Sequence, residues 1–178
     1  MNALIKLFGM LALISLLVSG CAAQPAQAGQ GDRAVPKTAV YESILGKPLN
    51  DEDVAEFLAG NQCSSVDHFL LCNDAGMALW VDSNQVVETV YIYLNGAEGV
   101  VPYKGELPYG LKFYDIKDAV EYKLKKQGVG KDGLPDEGVT PDHLHYWATY
   151  HEAGMTIIYN SPSVDDEDAS IYAILVSK

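Results

Sequence analysis

Two triplets of short runs in which apolar and polar residues alternate organise this chain. Residues 66–73, 76–83 and 86–94 form the first, and residues 143–150, 154–160 and 170–176 the second. A period of two over such lengths predicts half-buried β-strands. Between the first and second strand of each triplet stand Asp74-Ala75-Gly76 and Glu152-Ala153-Gly154, where glycine suits a tight hairpin turn. Ahead of each triplet the apolar spacing lengthens. DVAEFL from Asp53 and DAVEYKL from Asp118 open on a charge and continue as amphipathic helices, and residues 38–45 predict a further short helix.

The triplets also resemble each other as sequences. NDAGMALWV from Asn73 aligns with HEAGMTIIY from His151, DVAEFL with DAVEYKL, and VYIYL from Val90 with IYAIL from Ile171, all in the same order. The predicted class is therefore α+β, with two tandem repeats of a helix plus a three-stranded antiparallel meander. Repeat one covers about 38–95 and repeat two about 103–178, within a globular domain 37–178. The second copy carries longer loops, GVGKDGLPDEGVTP and NSPSVDDEDA. Elaborated loops on a repeated scaffold serve binding, or they reflect drift.

Alternation sorts the side chains by face. With Met77, Leu79, Val81, Met155, Ile157 and Tyr159 turned toward the helices, Trp80, Tyr91, Tyr93, Ile158 and Tyr172 turn away. Two readings of that aromatic face stay open: a surface for a protein partner, or the seam through which the two units pack.

The N-terminus sets an expectation about location. Lys6 precedes LFGMLALISLLVSG, a stretch too short for a stable membrane span, so residues 1–20 read as a signal peptide. The signal ends in Leu17-Val18-Ser19-Gly20-Cys21, which resembles the bacterial lipobox and implies lipidation of Cys21. Ala22 in the next position implies sorting to the outer membrane, with the domain facing the periplasm. Residues 21–36 read as the lipidated N-terminus and a flexible tether.

Charge narrows the partners. The formal net charge is −12, and loss of Lys6 with the signal makes it one unit more negative. Such a surface repels nucleic acid and anionic lipid, so membrane contact is expected through the lipid alone, and a basic protein is the easier partner. With Cys21 lipidated, Cys63 and Cys72 remain as a pair in an oxidising compartment, and a disulfide is expected.

The histidine-rich stretch DHLHYWATYHEAGM from Asp142 is the candidate for metal or catalytic chemistry. As a strand it puts His143, His145, Trp147, Thr149 and His151 on one face. His143 and His145 could share a metal, with a third ligand from Asp136, Glu137 or Asp142, but His151 lies too far along the strand to join them. Ser65 and Asp67 occupy the matching positions of the first copy, and the expectation is exposed strand histidines without a metal. GxSxG, HExxH and phosphate-loop motifs are absent, so neither a cofactor nor an enzymatic activity is expected. The residues expected to meet a partner are Trp80, Tyr91, Tyr93, His145, Trp147 and Tyr172.

A tandem repeat of helix and antiparallel meander behind a lipobox resembles the β-lactamase-inhibitor-protein-like group, which includes the single-repeat lipoprotein of the outer-membrane β-barrel assembly machinery. In addition, YKGELPYGLKF from Tyr103 is similar to the YxGxLPxGLxF stretch that introduces a helix in small bacterial proteins of unknown or toxin-immunity type. The chain departs from that pattern after the helix, which ends in KLKKQG from Lys123 without Leu-Gly-x-Pro. These resemblances imply a protein-binding module, as an inhibitor or toxin-immunity lipoprotein or as an envelope assembly scaffold; a small hydrolase or metal-binding protein is the reading from another class.

Overall fold

The alternating runs assemble into one antiparallel sheet of eight strands, ordered β1-β2-β3-β4-β8-β7-β6-β5. This computed structural model describes residues 39–94, 99–131 and 133–178. The expected signal peptide, Cys21 and tether lie outside the described residues. No described helix is long and apolar enough to cross a membrane.

The first half contains α1 (Val40–Ile44), α2 (Glu52–Gly60), β1 (Ser64–Val66), β2 (Phe69–Cys72), β3 (Met77–Val81) and β4 (Val87–Tyr93). The second contains α3 (Lys117–Lys126), β5 (Asp136–Val139), β6 (Tyr146–Tyr150), β7 (Met155–Tyr159) and β8 (Ile171–Ser177). The mixed helix-and-sheet class is as expected, but the three-stranded count is not. Each half adds an outermost strand, β1 or β5, whose residues are almost all exposed. Their pairing partners, rather than an apolar face, make them strands. The halves meet edge to edge through β4 and β8, with Tyr91 opposite Leu175 and Ile92 opposite Ile174. The aromatic face is therefore not a seam between two packed units.

One face of the sheet carries the core. Tyr41, Ile44, Val54, Phe57, Val120 and Leu124 from the helices join Met77, Leu79, Ile92, Tyr146, Ile157 and Ile174 from the strands in a single buried cluster. The helices do not match in phase as DVAEFL and DAVEYKL suggest. Phe57 is buried whereas Tyr122, its aligned counterpart, is 68% exposed, and α3 instead buries Val120 and Leu124.

The halves place several devices at matching points. β2 and β6 each run into a 3₁₀ turn closed by a glycine of positive φ, 69° at Gly76 and 57° at Gly154. Tyr93 N donates to Gly76 O at 3.0 Å, and Ser177 N donates to Gly154 O at 2.8 Å. Each last strand also carries one extra residue in a bulge: Glu88 opposite the Trp80–Val81 step, and Tyr172 opposite the Ile158–Tyr159 step. The ladders pair Leu79 with Val90 and Ile157 with Ile174. The structural counterpart of Val90 is thus Ile174 rather than Ile171, and alignment of VYIYL with IYAIL misplaces the final strand.

The YKGELPYGLKF segment connects the halves for a physical reason. A side chain at Gly105 would meet the buried Tyr103 ring, its Cβ only 2.1 Å from the hydroxyl. Glycine leaves room for that ring, Leu107 and Leu111 enter the core, and Tyr109 and Gly110 turn the chain with positive φ toward α3.

Candidate functional site

The sheet face opposite the helices displays the expected aromatic residues as half-buried side chains: Trp80, Tyr91 and Tyr93 from the first half, and Trp147 and Tyr172 from the second. Strand pairing places them. On β3 and β4, Trp80 stands opposite Thr89 and Ala78 opposite Tyr91, while Met77, Leu79, Val90 and Ile92 turn to the core. Phe69 on β2 stands opposite Trp80 and completes a cluster that the sequence reading missed. Its ring packs edge-on against Trp80 at 4.7 Å and against Tyr91 at 5.3 Å. His68 lies 5.4 Å from the Trp80 ring, and Tyr91 and Tyr93 stack at 6.5 Å. Partial burial among these rings raises the Tyr91 phenol above its ordinary range. Phe69 was legible in principle from its alternation with Leu70 and Cys72, which turn to the core; the turn at Asp67, with φ 55°, hid where the strand begins.

The second cluster is built differently. His145 stacks on Tyr172 with centroids 4.0 Å apart, and its Nδ1 lies 3.1 Å from Tyr159 O. Tyr172 reaches this place because it is the bulged residue of β8. Trp147 packs against the backbone of β5: a Cβ at Gly138 would stand 2.5 Å from Trp147 Cζ2, so only glycine opposite it leaves the indole its berth. Between the clusters, Ala173, Leu175, Thr156 and Ile158 form a strip of small and aliphatic side chains on the same face.

The histidines do not occupy one strand face as expected. His143 has φ 58° and sits in the β5–β6 turn, with β6 beginning only at Tyr146. In that turn Asp142 Oδ1 accepts from Thr140 Oγ1 at 2.5 Å and Leu144 N at 3.0 Å, contacts that hold its carboxyl below the usual range, with the threonine bond the larger cause. His151 opens the following 3₁₀ turn and its Nε2 lies 2.7 Å from Asp136 Oδ2, both groups largely exposed. Among the described residues no group of three or more His, Cys, Asp or Glu side chains is placed to hold a metal. Cys63 and Cys72 are joined by a disulfide, as expected.

A concavity of about 280 Å³ lies on the helical side between α3 and the β5 segment. Leu124, Val129, Leu134, Pro135 and Tyr150 line it. Burial pushes the Tyr150 phenol up to about 12, which leaves it neutral and without acid-base use near pH 7. The Lys117–Glu137 ion pair, 3.2 Å, stands at its rim. Its charged groups are paired with each other and its apolar wall is continuous with the core.

No protein-family profile, curated protein or solved structure matches the chain.

Proposed function

We propose that this chain is a protein-binding module, held by a lipid on Cys21 at the periplasm-facing side of the outer membrane and acting as an inhibitor or toxin-immunity lipoprotein. The observation that carries the binding part is the open sheet face, with Phe69, Trp80, Tyr91 and Tyr93 at one end and His145, Trp147 and Tyr172 at the other. Rings held by their neighbours lose little side-chain freedom when covered, and Trp and Tyr dominate the energetics of protein interfaces. The rigid sheet supplies the preorganisation that lowers the cost of association.

The lipid and the compartment rest on Leu17-Val18-Ser19-Gly20-Cys21 and on a disulfide suited to an oxidising space. We read the two halves as copies of one unit of helix and four strands, on the strength of their matching turns, bulges and strand order.

The test uses envelope extracts and the mature protein beside a Trp80→Ala, Tyr91→Ala variant shown to be folded by circular dichroism. The parent is expected to retain a specific partner and the variant to lose at least about tenfold in affinity for it, the effect of about 1.4 kcal/mol. Equal retention by the folded variant would remove the aromatic face from the reading. Mass spectrometry of the purified N-terminus, with Cys21→Ser as control, tests the anchor separately.

A further inference from the structure

The strands and hairpin turns carry formal charge of a single sign. Residues 64–94 and 136–177 contain all eight strands and every hairpin turn, with four carboxylates in the first stretch, eight in the second, and neither Lys nor Arg in either. The lysines among the described residues lie on α3, in the segments that flank the helices, and at the C-terminus. Carboxylates also border the two aromatic clusters. Asp67 sits in the β1–β2 turn beside His68, Asp142 in the β5–β6 turn ahead of His145, and Asp136 on β5 opposite Thr149, on the face that carries Trp147.

We infer that the occupant of the open face is a cationic protein segment, whose Arg or Lys side chains lie over the Trp80–Tyr91 and Trp147–Tyr172 groups within a border of carboxylates. This inference rests on the binding reading above and adds the chemistry of the partner. The π-face of an aromatic ring attracts a cation, most strongly for Trp and for a guanidinium that can stack on it. Among the described residues the face contributes no ammonium or guanidinium of its own to repel such a segment. The surrounding carboxylates add a field that steers a positive partner and weakens with salt. A second copy of the chain brings the same negative sign, and a phosphate-rich surface is repelled for the same reason.

The experiment pans a displayed library of random peptides against the full-chain protein and then measures the retained peptides against two folded variants. One is Trp80→Ala, Trp147→Ala, and the other Asp67→Asn, Asp136→Asn, Asp142→Asn. Retained peptides are expected to be enriched in Arg and Lys and depleted in Asp and Glu. Each is expected to lose about tenfold or more in affinity with the tryptophan variant, while the amide variant weakens binding and flattens its salt dependence. Peptides that need the tryptophans but show no enrichment in cations overturn this inference and leave the binding face standing. Peptides indifferent to the tryptophans overturn the binding face, and with it this inference. Recovery of no peptide above background counts against both.

Discussion

The two outermost hairpins occupy matching places at opposite ends of the sheet, yet they are fastened by different chemistry. At the β1–β2 end, Cys63 and Cys72 close the hairpin covalently. Cys72 corresponds to Tyr150: each ends its strand, stands opposite a buried methionine, and enters the 3₁₀ turn with nearly the same backbone, φ −106° and ψ 81° against φ −103° and ψ 89°. At the β5–β6 end the fastening is by side-chain packing. Tyr146 stacks on Tyr159 with rings 4.5 Å apart, and Lys117 from α3 lies 5.3 Å over the Tyr146 ring. The same lysine bonds Glu137 on β5 and the Val164 carbonyl, each at 3.2 Å. The lesson is that backbone geometry alone does not dictate what holds a hairpin: one end depends on the redox state of a bond, the other on apolar burial around a lysine.

Substitutions at Tyr146, at the two turn glycines, at the disulfide and at Lys117 test this contrast. Tyr146→Ala removes the central ring of the second fastening and should cost about 4 kcal/mol in urea unfolding. Tyr146→Phe keeps the ring and should stay within about 1 kcal/mol of the parent, because the hydroxyl meets no hydrogen-bond partner among the described residues. A large cost for the phenylalanine would shift the emphasis from packing to the hydroxyl.

Gly76→Ala comes next. Its Cβ would stand 2.5 Å from Tyr103 N and 2.6 Å from Val101 O, whereas a Cβ at Gly154 would crowd one residue, standing 2.5 Å from Ser177 O. Both substitutions carry the left-handed backbone cost, and the first also pushes on the connection between the halves. About 3 kcal/mol is expected for Gly76→Ala and about 2 kcal/mol for Gly154→Ala, and equal values from parallel thermal melts would erase this difference between the halves.

Loss of the disulfide, by Cys63→Ser with Cys72→Ser, should cost about 2 to 3 kcal/mol for a loop of this length. Hydrogen exchange should then quicken in β1 and β2 and stay unchanged in β5 and β6. Quickening at both ends would show that the fastenings are coupled across the sheet. The smallest effect belongs to Lys117→Met, about 1 kcal/mol, confined by the same exchange measurement to the β5–β6 end.

How much of this was legible in the sequence depended on what defines each element. β2, β3, β4, β6, β7 and β8 announced themselves because one face of each is buried and alternation records burial. β1 and β5, Ser64–Val66 and Asp136–Val139, left almost no such record, since an edge strand is defined by the neighbour it pairs with and most of its residues are exposed. The twin turns were readable because Gly76 and Gly154 need positive φ. The bulges were not, and Tyr172 misled for that reason: its likeness to Tyr91 in sequence pairs it with a residue whose structural counterpart is Leu175. Of the binding face, Trp80, Tyr91 and Tyr93 followed from parity. Phe69 and the Gly138 berth under Trp147 required the register between strands, which a single sequence does not state.

The joint between β4 and β8 also bears on how the molecule is made. Among the described strands it is the one ladder between segments that are not consecutive along the chain; the other six are hairpins closed by neighbouring segments. Hairpins can form early and separately in each half, whereas the central ladder has to close the long loop between β4 and β8. Until β8, Ile171–Ser177, docks on it, β4 presents an open strand edge to any other chain.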